Sequence, residues 1–110
     1  MGAAAAMDVL KRMEGGKKFL VTPGMIELGE REYEENKKFG VKAAESCDYI
    51  ALVGENQTAA VREGILEAGF PEENLFVALN LNEANAFVFS KMEKGDYILY
   101  ENDLPDTYNE

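Results

Sequence analysis

The chain has 110 residues, 46% of them hydrophobic and 29% charged, which suits one domain with its own core, because burial at this size approaches roughly two-thirds of the unfolded surface. Its formal net charge of −10 repels phosphate backbones and anionic lipid surfaces, which argues against nucleic-acid and membrane partners. It has no histidine and a single cysteine, Cys47, so His-based triads, most catalytic zinc sites and an intrachain disulfide are excluded.

No apolar run approaches the roughly 20 residues that a spanning helix needs. Residues 1–7 are alanine-rich but lack a basic n-region and a long apolar core. They do not read as a signal peptide. With one cysteine and no export signal, the expected compartment is the cytoplasm.

Along the chain, helical and strand patterns alternate. Ala3, Ala6, Met7, Leu10 and Met13 recur at helical spacing, and Gly15-Gly16 ends that helix. Lys17 to Thr22 (KKFLVT) reads as a strand stopped by Pro23-Gly24. A polar-rich helix is expected from about Glu30 to Cys47, with Tyr33, Val41 and Ala44 on its inner face. Gly40 falls inside it, where glycine costs up to about 1 kcal/mol against alanine. Its expected role is close packing on a sheet.

Tyr49 to Val53 (YIALV) is a nearly all-apolar strand ended by Gly54. Asn56 or Thr58 is placed to cap the next helix, which carries Val61, Ile65 and Ala68 as a stripe before Gly69. Leu75 to Leu79 (LFVAL) is a third strand, and Asn82 is expected to cap a helix bearing Ala84, Phe87, Val88 and Met92. Gly95 closes that helix, and YILY after Asp96 is the fourth strand. The tail from Glu101 to Glu110 is polar and loop-like.

Continuous apolar strands separated by helices imply a parallel sheet buried on both faces. The expected fold is therefore a Rossmann-like three-layer α/β/α domain with a four-stranded parallel sheet. Ligands of such sheets bind beyond the carboxyl ends of the strands, where strand order reverses. Four loops lie there: PGMIELG, GENQT, NLN and ENDLPD. None is a phosphate cradle, since the chain has no GxGxxG and no GxxxxGK[ST]. PGMIELG reads as a strand-to-helix turn plugged by Met25, Ile26 and Leu28. Glu101, Asp103 and Asp106 form a carboxylate cluster; it suits Mg²⁺ or a substrate ammonium, and a solvated acidic tail explains it equally. Cys47 reads as a small core residue, with no histidine to activate it. Tyr33, Phe39, Phe87 and Phe89 read as packing residues.

Four stretches carry a family resemblance: the alanine-rich helix with MDVLKRM, then GGKKFLVTPGMIELGE, YIALVGENQ and KGDYILYENDLP. Together they resemble the C-terminal domain of Mur ligases, nearest to the D-alanyl-D-alanine-adding branch. The most specific carrier is an apolar strand followed by a loop ending M-x-E-L-G, here Met25, Glu27, Leu28 and Gly29.

The resemblance implies that residues 1–110 are the acceptor-binding domain of a larger ATP-dependent amide-bond-forming ligase of peptidoglycan precursor synthesis. In that family a precursor carboxylate becomes an acyl phosphate, and the amine of an amino acid or dipeptide attacks it. ATP and Mg²⁺ serve the parent ligase, and none is expected in this fragment, which is expected to be inactive alone. The partners implied are a UDP-linked muramoyl peptide and the acceptor. The family's D-x-Y-N-x-N-P segment is expected just upstream of Met1. The strand order implied is 4-1-2-3, leaving an open sheet edge suited to weak self-association. The substrate-binding residues implied are Met25, Glu27, Asn56, Glu101, Asn102 and Asp103, with no catalytic or metal-binding residue.

The chain departs from the branch's pattern at three places. Pro23-Gly24-Met25 stands for G-D-M, and Tyr100-Glu101-Asn102-Asp103 stands where the last strand usually ends K-G-S. Glu55-Asn56-Gln57-Thr58 occupies the place of D-N-P-R in the diaminopimelate-adding branch, so the arginine for the acceptor carboxylate is absent. Two other classes compete: a stand-alone Rossmann-like ligand-binding or interaction module without catalysis, and a receiver-like signalling domain. The latter is weakened because the third strand ends Leu79-Asn80, with no phosphoacceptor aspartate.

Overall fold

The computed structural model describes residues 15–24 and 32–100. The expected first helix and the polar tail lie outside the described residues. Within them the order is β1 (Lys18–Thr22), α1 (Glu32–Ser46), β2 (Tyr49–Val53), α2 (Ala59–Glu67), a 3-10 turn (Glu72–Asn74), β3 (Leu75–Ala78), α3 (Leu81–Lys91) and β4 (Tyr97–Tyr100). The four strands form one sheet in the order β3-β2-β1-β4, every pair parallel. From its other edge the order is 4-1-2-3. This α/β architecture is compatible with a Rossmann-like fold.

Alternation along each strand sends side chains to two cores. Leu20, Ile50 and Leu52 join Phe39 and Ala43 of α1 and Val61 and Ile65 of α2 on one face. Phe19, Val21, Ala51, Val53 and Ala78 join Ala84 and Val88 of α3 on the other. Helices on both faces explain why the strands are apolar throughout rather than every second residue. Phe19, Leu20, Ile50 and Leu52 are completely buried. Truncating such a leucine to alanine costs about 2–5 kcal/mol.

Five local expectations differ from the structure. The buried stripe of α1 is Asn36, Phe39, Gly40, Ala43 and Ser46, while Tyr33 is exposed and Val41 and Ala44 are half-buried. A buried asparagine and a glycine in the stripe disguised it as polar. Gly40 packs against the backbone of α2, not against the sheet. Helix α3 begins earlier than Asn82: Asn80 is its N-cap and accepts from the Glu83 N–H at 2.9 Å. The Glu83 carboxylate in turn accepts from the Leu79 N–H at 2.9 Å, which takes Leu79 out of β3 and leaves it 74% exposed. Phe89 is also exposed and is not a core residue, whereas Phe87 stacks on Phe76 at 4.9 Å.

Candidate functional site

The carboxyl ends of β1 and β2 are tied together by short polar contacts. Thr22 at the end of β1 is fully buried, and its hydroxyl accepts from the Gly24 N–H at 3.0 Å. Gly24 has φ +81°, and an added Cβ would stand 3.1 Å from Asn36 Oδ1 and 3.3 Å from Val61 Cγ2. Both the left-handed backbone and the narrow space require glycine there. After β2, Gln57 Nε2 donates to the Val53 carbonyl at 3.0 Å and to the Pro23 carbonyl at 3.5 Å. Gln57 thus bridges the turn after β2 to the turn after β1.

Asn56 lies exposed in the Gly54–Thr58 turn, and its carbonyl accepts from the Ala59 N–H at 3.3 Å. Neither Asn56 nor Thr58 caps α2 by its side chain: Thr58 is the N-cap but makes no side-chain cap bond, and its hydroxyl donates to the Gly54 carbonyl. Of the implied substrate-binding residues, only Asn56 is placed; Met25, Glu27, Glu101, Asn102 and Asp103 lie outside the described residues. The strands that launch their loops are neighbours, with Val21 opposite Tyr100. The Tyr100 hydroxyl donates to Asn85 Oδ1 of α3 at 2.8 Å, and burial pushes its phenol above the usual tyrosine range.

Asn56 also lines an open cleft of about 970 Å³, with Tyr33 and Asn36 of α1, Gln57, and Ala59, Ala60, Arg62, Glu63, Leu66 and Glu67 of α2. The Tyr33 hydroxyl donates to the Glu63 carboxylate, which raises the tyrosine's pKa. Lys37 reaches Glu67 at 2.9 Å. Sequence reasoning missed Arg62 and this pair of cross-helix contacts, because nothing in the local pattern joins α1 to the outer face of α2.

Cys47 is buried against the core, and desolvation first, then the charge of Asp48, pushes its thiol up to about 12. At neutral pH it stays a protonated core residue, not a nucleophile. Among the described residues no group of three His, Cys, Asp or Glu side chains is placed to hold a metal ion. Among them, too, no helix is long and apolar enough to cross a membrane.

No protein-family model and no curated protein matches the chain. Among solved structures, the MurF ligase from Thermotoga maritima in complex with ADP matches 86% of this chain with a TM-score of 0.66 at 22% identity. The chain has a Mur ligase-like fold. It spans 20% of that MurF chain.

Proposed function

We propose that this chain is the acceptor-binding domain of an ATP-dependent amide-bond-forming ligase of peptidoglycan precursor synthesis. The observation that carries the reading is the MurF likeness over 86% of the chain. On this reading the protein works in the cytoplasm on a UDP-linked muramoyl peptide and an amino acid or dipeptide, nearest to D-alanyl-D-alanine.

The sequence carries no GxGxxG and no GxxxxGK[ST] to cradle the phosphates of ATP. The turn after β2 is filled by its own Gln57, whose Cδ would stand 2.7 Å from a Cβ on Gly54. The Thr58 hydroxyl donates to the Gly54 carbonyl instead of capping α2. Nucleotide chemistry therefore belongs to another part of the ligase. This chain's task is to hold the acceptor so that its amine meets an activated acyl group in attacking geometry, which converts a bimolecular step into an effectively unimolecular one. Asn56 is suited to orient the acceptor's carbonyl or carboxylate by neutral hydrogen bonds. Glu101 and Asp103 are suited to steer its ammonium.

The test is amide formation by the whole protein that carries this chain. With a UDP-muramoyl tripeptide and D-alanyl-D-alanine it releases ADP and forms the pentapeptide precursor. Asn56→Ala lowers kcat/KM for the acceptor at least tenfold, about 1.4 kcal/mol of transition-state binding, and leaves the KM for ATP unchanged. Absence of ligation with every amino acid or dipeptide acceptor overturns the reading.

A further inference from the structure

One side chain joins the turns at the carboxyl ends of β1 and β2. Gln57 Nε2 donates into both: to the Val53 carbonyl at 3.0 Å, at the end of β2, and to the Pro23 carbonyl at 3.5 Å, just past β1. To reach them the side chain folds back over Gly54, where an added Cβ would stand 2.7 Å from Gln57 Cδ and 2.9 Å from Nε2. Glycine at 54, with φ +94°, leaves the space that this amide fills. The surroundings are stiff. The Gly24 N–H is held by the buried Thr22 hydroxyl at 3.0 Å, and a Cβ on Gly24 would stand 3.1 Å from Asn36 Oδ1 and 3.5 Å from the Gln57 carbonyl oxygen. On the α2 side, the buried Thr58 hydroxyl donates to the Gly54 carbonyl. Asn56 stands exposed between these pinned positions.

We propose that Gln57 is a positioning residue for amide formation: by joining the β2 turn to the β1 turn, its side-chain amide fixes where Asn56 stands relative to the end of β1, and so the angle at which the acceptor's amine meets the acyl group. This deepens the acceptor-binding reading and rests on it, since Asn56 touches the acceptor and Gln57 acts through Asn56. The Gln57 Nε2 donors are spent on main-chain carbonyls, so the residue adds little to how tightly the acceptor is held. It acts on how often the acceptor is aligned, and a misplacement of about 1 Å is enough to cost on the order of a hundredfold in rate.

The test is single-turnover ligation by the whole protein that carries this chain, with a UDP-muramoyl tripeptide and D-alanyl-D-alanine. Gln57→Met keeps the side chain's length and removes both donors; Gln57→Glu keeps its shape and, ionised at pH 8, accepts but cannot donate. In each variant the rate of amide formation at saturating dipeptide should fall at least tenfold, while the half-saturating concentrations of dipeptide and ATP stay within threefold of the parent's. In the chain alone, Gln57→Met should lower the NMR order parameters of Gly24, Gly54 and Asn56 from about 0.85, a rigid backbone, towards about 0.6, a flexible one, with a Tm close to the parent's. A rate within twofold of the parent's in either variant overturns the proposal and leaves the acceptor-binding reading standing. An unchanged rate with a tenfold rise in half-saturating dipeptide overturns it too, by making Gln57 a direct binding group. Unchanged order parameters, or a large loss of Tm with weaker ATP binding, overturn it in favour of a purely structural role. If the parent forms no amide with any acceptor, the acceptor-binding reading is overturned and this role falls with it.

Discussion

Gly40 and Gly64 sit at the crossing of α1 and α2, each against the other helix's main chain. A Cβ on Gly40 would lie 2.1 Å from the Val61 carbonyl oxygen, and one on Gly64 would lie 2.1 Å from the Lys37 carbonyl oxygen. Those distances are far inside van der Waals contact, and the obstacle is backbone, which cannot rotate away. Alanine normally favours a helix by up to about 1 kcal/mol over glycine. Here overpacking reverses the sign. Gly40→Ala and Gly64→Ala should each destabilise the domain by about 1–3 kcal/mol, read by urea unfolding. Once the helices have been forced apart by one alanine, the second meets less resistance. The double variant should therefore lose less than the sum of the singles.

The close helix crossing also explains what was and was not legible in the sequence. The strands stood out because both faces of the sheet are covered, so YIALV and YILY are unbroken apolar runs whose bounds match β2 and β4. The stripe of α1 was hidden because its buried positions include Asn36 and Gly40. At the site, Asn56 was legible as a polar residue in a turn after a strand. Arg62 was not, since it reaches the same cleft only through the way α2 lies beside α1.

The start of α3 makes a reciprocal cap. Asn80 Oδ1 takes the Glu83 N–H and Glu83 Oε1 takes the Leu79 N–H, both at 2.9 Å. Asn80→Ala should cost about 1 kcal/mol by chemical denaturation. Glu83→Ala should cost less, because the Leu79 N–H it frees is in an exposed residue and regains water. Asn82→Ala, at the position first expected to cap, should change stability little.

Asp96 joins the turn before β4 to the start of β1. Its carboxylate accepts from the Glu93 N–H at 2.8 Å and the Lys17 N–H at 2.9 Å, and these two bonds hold its carboxyl below the usual aspartate range. The fold thus favours the ionised form. Its stabilisation is complete above the unfolded value of about 3.9 and is lost as pH falls through the lower native value. Asp96→Ala should lower Tm at pH 7, and the difference from the parent should disappear in strong acid. A difference that persists undiminished there would mean that packing, not ionisation, is responsible.

Cys47 offers a probe of local opening. A thiol pushed to about 12 by burial carries almost no thiolate at pH 8 in the folded chain. A thiol-reactive dye should therefore label it only as fast as the segment around it opens. Labelling should be suppressed in native buffer and become rapid in urea, following the unfolding curve. Fast labelling of the native chain would place the sulfur at the surface.

The outer edge of β4 supports the last prediction. Among the described residues, β4 pairs only with β1. The Tyr97 N–H donates to the Lys17 carbonyl at 2.8 Å. In a parallel ladder alternate residues face the same neighbour, so the amides of Ile98 and Tyr100 point outward. YILY carries no charge of its own to discourage another strand. Against this stands the net charge of −10 on each copy, which opposes association at low ionic strength and is screened by salt. The expected result is weak, reversible self-association that grows with both concentration and salt in sedimentation velocity. Tyr100→Lys places a charge on the exposed end of the edge and gives up the bond to Asn85, which is exposed and of small energetic weight. It should return the chain to monomer at high salt with a Tm close to the parent's. If the parent is monomeric at every concentration and salt level, the edge is not an interface. If Tyr100→Lys associates as strongly as the parent, the contact lies elsewhere on the surface.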